Sequence, residues 1–236
     1  MPSSLSIAVV VVNWNAGCYL KKCLQSLKTQ TLMPTRVIVV DNASTDDSIN
    51  GFKKEFESFE IIKLEENTGF AFANNLAVKQ ANNCDWIAFL NPDAFAAPDW
   101  LERLSNATED FSECVSFGSH MLRYGSDRMD GTGDVYHVCG SAWRRDHDAL
   151  SSKVKREIQE IFSPCAAASF IRRDVFSEAG GFDENFFAYF EDVDLGFRLQ
   201  LKGYACRYVP DAVVKHVGSA TTSRKSDFAV YHGQRN

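Results

Sequence analysis

The sequence predicts an α/β fold built on a doubly wound, mostly parallel sheet flanked by helices, and three observations predict it. Strand-like and helix-like stretches alternate through the first ninety or so residues. Ser6-Ile-Ala-Val-Val-Val-Val12 and Arg36-Val-Ile-Val-Val40 are continuous β-branched runs, the composition of parallel strands buried on both faces. Polar loops at 13–15, 41–44 and 91–93 all fall at strand carboxyl ends, the edge of an open α/β sheet where ligands collect.

Each element has a local justification. Residues 19–27 carry apolar side chains at helical spacing after the first strand. Ser44 reads as a helix N-cap with Asp47 as a variant capping box, starting a helix that runs to about residue 56. A third strand at 60–64, a helix at 70–81 and a fourth strand at 86–90 follow. That strand ends abruptly in Asn91-Pro92-Asp93, because Pro92 offers no N–H and holds Asn91 extended. Beyond it the pattern predicts a helix at 98–108, a strand at 114–122 and a short amphipathic helix at 153–161. A strand at 165–171, a helix at 174–179 closed by Gly180-Gly181, and a helix at 191–201 stopped by Gly203 come next. Two late strands, 205–209 and 212–217, end the pattern. Residues 123–152 are rich in Gly, Asp and Arg without sustained periodicity, and read as long loops or a small hairpin near the site.

Composition narrows the function. At 236 residues the chain suits one domain, and 45% hydrophobic content is enough for a sizeable core. A net charge of −6 supplies no basic field for nucleic acid, so an anionic ligand must be held by a metal or local donors. Seven cysteines without a Cys-x-x-Cys pair argue against a disulfide framework or a zinc site, and for buried thiols in a reducing compartment. The N-terminus has no signal-peptide pattern, which points to the cytoplasm and leaves peripheral membrane contact open.

Two constellations carry chemistry. Asn91-Pro92-Asp93 is either a turn signal or a strand end delivering a carboxylate to a divalent cation beside a phosphate. Glu191, Asp192 and Asp194 follow an aromatic cluster; acids in a first helical turn suit the dipole, and a shielded carboxylate at fixed angle also suits a general base. Asp194 and Arg198 have i,i+4 spacing. His216 near the end of the last strand is a ligand candidate only if the sheet brings it to Asp93.

In their order and spacing these residues resemble the inverting GT-A-fold glycosyltransferases of family 2, most closely the rhamnosyltransferase-like branch. The motifs are Val10-Val-Val-Asn-Trp-Asn15, Val39-Val-Asp-Asn-Ala-Ser-Thr-Asp46, Glu66-Asn-Thr-Gly-Phe70 with Asn74, and Phe89-Leu-Asn-Pro-Asp-Ala94. Arg172-Arg-Asp-Val-Phe176, Gly180-Gly-Phe-Asp-Glu184, Tyr189-Phe-Glu-Asp-Val-Asp-Leu195, Gly203-Tyr204 and His216 complete the set and cover nearly the whole chain. The resemblance implies a Rossmann-like single domain, with residues 1–95 as the nucleotide-binding half and 96–236 as the acceptor and catalytic half. It implies that Asp41 contacts the base of a nucleotide-sugar donor, that Asn13, Asn15 and Asn42 line the same pocket, and that Asn67, Gly69 and Asn74 border the donor. Asn91-Pro92-Asp93 takes the place of an Asp-x-Asp motif, with Asp93 as ligand to Mg²⁺ or Mn²⁺ and His216 as a late metal ligand. Asp192 is the implied base and Glu191 its support. Asn91 stands where the family usually has an acid, so metal is expected to bind together with the donor diphosphate.

The expected donor is dTDP-rhamnose, and the expected acceptor a glycan or lipid-linked precursor. A UDP-hexose donor, or a non-catalytic nucleotide-sugar-binding module, are the competing readings. Dinucleotide oxidoreduction and nucleotidyltransfer both fail for want of a Gly-rich loop after the first strand. The last residues, Tyr231-His-Gly-Gln-Arg-Asn236, are polar and show no element pattern. Relatives resembling this chain continue into amphipathic, membrane-proximal helices, so a missing C-terminal tail is expected to provide any membrane contact. Lys215, Arg224, Lys225 and Arg235 make this end basic, as a solvated tail or a face for anionic lipid.

Overall fold

Side chains that alternate direction along a strand can be apolar on both sides only where both sides are covered. The computed structural model, which describes residues 5–218 and 227–236, meets that condition. β1 (Ile7–Asn13) is buried throughout; Ile7, Val9 and Val11 enter one core, and Ala8, Val10 and Val12 the other. α1 (Cys18–Lys28), β2 (Arg36–Asp41), α2 (Phe52–Glu55), β3 (Glu60–Lys63), α3 (Gly69–Gln80) and β4 (Trp86–Leu90) complete the alternating first half. Here β1 pairs in parallel with β2 and β4, and β2 with β3.

The second half adds β5 (Ala94–Ala96), α4 (Trp100–Asp110), β6 (Cys114–Arg123), β7 (Met129–Gly131), and a hairpin of β8 (Asp134–Tyr136) and β9 (Ala142–Arg144). Then come β10 (Gln159–Ile161), β11 (Ala168–Arg172), α5 (Arg173–Glu178), α6 (Glu191–Leu201), β12 (Ala205–His216) and α7 (Asp227–Arg235). The sheet runs β10-β12-β6-β11-β4-β1-β2-β3, with β5 on β12 and β7 on β6. β11 is antiparallel to both β4 and β6, so parallel pairing rules the first half and mixed pairing the second. Leu20, Leu24, Trp100 and Leu104 cover one face of the sheet, and Ala77, Phe176, Leu195 and Leu199 the other.

Several local expectations are corrected. Ser44 is not a helix cap: its hydroxyl accepts from Asn13 Nδ2 and the Asn15 amide, while Asp46 caps a 3₁₀ turn at Asp47–Ile49. Gly51, with φ of 73°, separates that turn from the short α2, so no continuous helix reaches residue 56. Residues 153–161 are not a helix, because Gln159–Ile161 pairs antiparallel with Cys206–Tyr208 and that ladder outweighs the local apolar spacing. The two late strands are one, β12, with a register shift between Val209 and Val213 around Pro210. The C-terminal residues, expected without an element, form α7, and Asn236 Nδ2 lies 2.8–2.9 Å from the carbonyls of Phe186, Ala188 and Tyr189. A tertiary anchor of this kind leaves no periodic trace. Arg224 and Lys225 of the expected basic segment lie outside the described residues. All seven cysteines are free; Cys18 and Cys139 are exposed and the other five buried. Among the described residues no helix is long and apolar enough to cross a membrane.

Phe170 is fully buried at the junction of the two halves and stacks on Trp86 with centroids 4.7 Å apart. Phe170→Ala is expected to cost about 3–5 kcal/mol, the usual range for an emptied aromatic site. Denaturant titration measures this, and a loss below 1 kcal/mol would show that the junction can collapse.

Candidate functional site

Adjacent parallel strands bring distant polar residues to one edge. The register that pairs Val12 with Val40 also pairs Asn13 with Asp41, and Pro92 stops β4 at the same edge. β5 then turns back to pair with β12, matching Ala94 to His216. That match places His216 Nε2 3.2 Å from Asp93 Oδ1. Asp93 Oδ2 accepts from the Gly218 amide at 3.1 Å. On its other side, His216 Nδ1 lies 2.8 Å from Oδ2 of Asp130, a β7 residue that the sequence patterns did not single out. Burial alone would lower the His216 pKa, but the hydrogen bonds to Asp130 and Asp93 reverse this and push it up to about 9. Burial would raise Asp130, and its contacts with His216 and Arg144 hold it well below the carboxylate range.

This edge opens into a cleft of about 800 Å³. Val12, Trp14, Asn42, Asn67, Gly69, Phe70, Asn91, Pro92, Asp93 and His216 line it. Asp130, Asp134, Trp143, Arg144, Glu191 and Asp192 line it as well. The remaining expected donor residues lie behind this lining. Asn13 is fully buried, with Nδ2 3.0 Å from Asp41 Oδ1 and 2.9 Å from the hydroxyls of Ser44 and Ser48. Asn15 Oδ1 accepts from the amides of Thr45 and Asp46. Asn74 Nδ2 donates to the Phe70 carbonyl inside α3. Asn42 and Asn67 act together: Asn42 Nδ2 donates to Asn67 Oδ1 at 2.8 Å, and the same oxygen accepts from the Gly69 amide.

Gly69 has φ of 86°, and a Cβ there would sit 2.6 Å from the Phe187 carbonyl oxygen. That oxygen accepts from the amides of Phe70 and Ala71, tying the start of α3 to the loop before α6. Phe187, Tyr189 and Phe190 of this loop all have positive φ, a cost tolerated where surrounding contacts fix the backbone. The loop delivers Glu191 buried and Asp192 into the cleft. Asp192 Oδ2 accepts from the Ala166 amide at 2.9 Å, which fixes its carboxylate against β11's approach. The Asp194–Arg198 pair forms at 2.6 Å.

Two more acids were invisible in the sequence. Asp134 is pushed up to about 7, by burial first and the Asp192 charge second. Arg144 donates to Asp130 Oδ2 at 2.7 Å. Asp130, Asp134 and Arg144 all come from the aperiodic Gly/Asp/Arg-rich stretch, whose composition is the one signal that could have marked them. As expected, that stretch contains a hairpin beside the site.

The donor set suits a hard cation that brings its own phosphate ligands. Asp93 and His216 face the cleft together, and Asn91 Oδ1 is buried without a hydrogen-bond partner. Turning that amide over would set Oδ1 where Nδ2 now lies 3.4 Å from His216 Nε2, which brings the oxygen to the Asp93–His216 pair. Among the described residues no three His, Cys, Asp or Glu side chains are arranged as a complete metal cage. Magnesium-type sites commonly use one or two carboxylates plus substrate phosphates, and this set matches that pattern.

Comparison with known proteins identifies the family and the fold. The sequence model described as Glycosyl transferase family 2 matches residues 8–180. An N-acetylglucosaminyl-diphospho-decaprenol L-rhamnosyltransferase of Mycobacterium tuberculosis is 29% identical over 251 residues, spanning 96% of this chain and 81% of that protein. The O-antigen chain rhamnosyltransferase RfbN of Salmonella typhimurium is 27% identical over 240 residues, covering 97% of this chain and 73% of the relative. Among solved structures, GalNAc-T7 with UDP, GalNAc and Mn²⁺ superposes with a TM-score of 0.73 at 16% identity, over 92% of this chain and 44% of that one. That likeness concerns the GT-A fold.

Burial, then the Asp192 charge, holds the Glu191 carboxyl well above its ordinary value. The folded protein therefore keeps a proton that the unfolded chain releases above about pH 4.3, and this group's contribution to stability falls as pH rises. Glu191→Gln removes that slope. Thermal melts at pH 4 to 8 are expected to show the variant gaining on the wild type as pH rises; a constant gap would mean Glu191 is ionised in the fold.

Proposed function

The chain belongs to glycosyl transferase family 2 and is a glycosyltransferase, and from that premise we propose that it moves rhamnose from dTDP-rhamnose to a hydroxyl of a glycan or lipid-linked acceptor, with inversion and with Mg²⁺ or Mn²⁺. The observation that carries this reading is one cleft lined by both the Asp93–His216 pair and the Asp192 carboxylate. Rhamnose is favoured because both curated relatives described above are named as rhamnosyltransferases. A UDP-hexose donor is the second reading, favoured by UDP in a structure of like fold.

In this reading residues 1–95 form the nucleotide half. The nucleotide lies along Val12, Trp14, Asn42 and Asn67, with Asp41, Asn13, Asn15 and Asn74 bracing that wall from behind and Gly69 bordering the donor. Asp93, His216 and the Asn91 amide oxygen would hold the metal. When bound, it supplies positive charge against the diphosphate, which leaves with the electrons of the broken bond. Residues 96–236 form the acceptor half. There Asp192 accepts the proton of the acceptor hydroxyl as that oxygen forms its bond to the anomeric carbon from the opposite face. The Ala166 amide keeps Asp192 aimed for this, and Glu191 holds the start of α6 in place as a neutral acid.

A panel of dTDP-rhamnose, UDP-glucose and UDP-N-acetylglucosamine, titrated by calorimetry with Mn²⁺ and again with chelator, tests donor and metal together. One metal-dependent binder names the donor, and a folded protein that binds none would overturn the reading. Asp192→Asn is expected to keep donor affinity while turnover drops about 10²- to 10⁴-fold, the usual worth of a placed base. Asp93→Asn is expected to lose both metal-dependent donor binding and turnover. Near-full turnover by Asp192→Asn would remove it as the base.

A further inference from the structure

A histidine ligates through one ring nitrogen only if the other is committed elsewhere, because the proton must sit on the nitrogen that does not bind. We propose that Asp130 is the positioning residue that turns His216 toward the cleft, and that Arg144 locks Asp130 in place. The inference rests on the metal reading of Asp93 and His216 given above.

The topology explains how three distant stretches meet. β7 runs antiparallel to β6 with Gly131 beside Met121, and β12 runs parallel to β6 with His216 beside Arg123. Asp130 therefore arrives at the end of β12. Its Oδ2 lies 2.8 Å from His216 Nδ1, which leaves Nε2 facing Asp93 and Asn91. Asp130 is itself immobilised. Arg144 Nη1 donates to the same Oδ2 at 2.7 Å, and His147 Nδ1 lies 2.7 Å from its carbonyl oxygen. The Asp130 side chain is 4% exposed. Gly131 lets the Arg144 stem lie across β7, since a Cβ there would collide with Cγ and Cδ of Arg144.

Arg144 reaches further. Its Nη2 donates to Cys165 Sγ at 2.7 Å, and the next residue, Ala166, supplies the amide that holds Asp192. One guanidinium thus joins the carboxylate behind His216 to the segment behind Asp192. A purely structural ion pair would explain the burial of Asp130. It gives no reason for the shared oxygen to sit on the one imidazole nitrogen that does not meet Asp93.

The test is Mn²⁺ calorimetry on the whole chain with UDP and, separately, with dTDP, on wild type, Asp130→Asn and Arg144→Lys. Thermal melts establish that each variant is folded. Asp130→Asn preserves shape and removes charge, and is expected to weaken Mn²⁺ by about 10- to 100-fold, as for other residues behind metal ligands. Arg144→Lys keeps the charge but loses the fork that spans Asp130 and Cys165, and is expected to weaken Mn²⁺ in the same direction by a smaller factor. A folded Asp130→Asn protein with wild-type Mn²⁺ affinity overturns the proposal. Should Asp130→Asn not fold, Arg144→Lys decides it by the same criterion. Wild type that binds nucleotide but no Mn²⁺ defeats the metal reading first and this inference with it, which separates the two failures.

Discussion

His216 stands between Asp93 and Asp130, 3.2 and 2.8 Å away, with all three side chains less than a tenth exposed. Withdrawing two carboxylates and an imidazole from water carries a heavy desolvation cost, which close geometry and further hydrogen bonds must offset. Every partner of the cluster helps to do so: Gly218 on Asp93, Arg144 on Asp130, and the raised proton affinity of His216 itself. The cluster also fastens β5, β7 and β12 to one another at the sheet edge. Much of the cleft geometry follows from that fastening.

The opposite wall depends on backbone strain instead of charge. Three residues at positive φ bring the chain over α3 and into α6, and the Phe187 carbonyl occupies the first amides of α3. Helix starts attract negative ends of dipoles, so this carbonyl both satisfies orphan amides and ties the start of α3 to the loop before α6. Gly69 is required at that crossing because any side chain would meet Phe187. The loop before α6 is therefore braced against the start of α3, and the placement of Asp192 relative to Gly69 is a property of the scaffold.

Charge along the cleft is arranged in opposition. Asp93, Asp130, Asp134, Glu191 and Asp192 would repel one another in a dry site if all were ionised and unpaired. Pairing removes two from that competition, and burial keeps Glu191 protonated. Asp134 is also raised, by burial and by the Asp192 charge.

The sequence by itself determined the alternating first half, because continuous β-branched runs and helical spacing are local signals that burial on both faces enforces. It also determined that Asn91-Pro92-Asp93 ends β4 at the ligand edge, since Pro92 cannot extend a ladder. The helix at Glu191 and the stop at Gly203 were legible for similar reasons. What only the tertiary structure decided is which distant residues meet. β10 is a strand because β12 offers it a ladder, and α7 docks through contacts to residues 186–189, neither of which leaves a periodic pattern. Asp130, Asp134 and Arg144 lie in a stretch without periodicity, and their roles depend on β7 and the hairpin being folded over the end of β12. His216 was a lone histidine until the pairing of β5 with β12 set it against Asp93, because register is a relation between strands and neither strand encodes it alone.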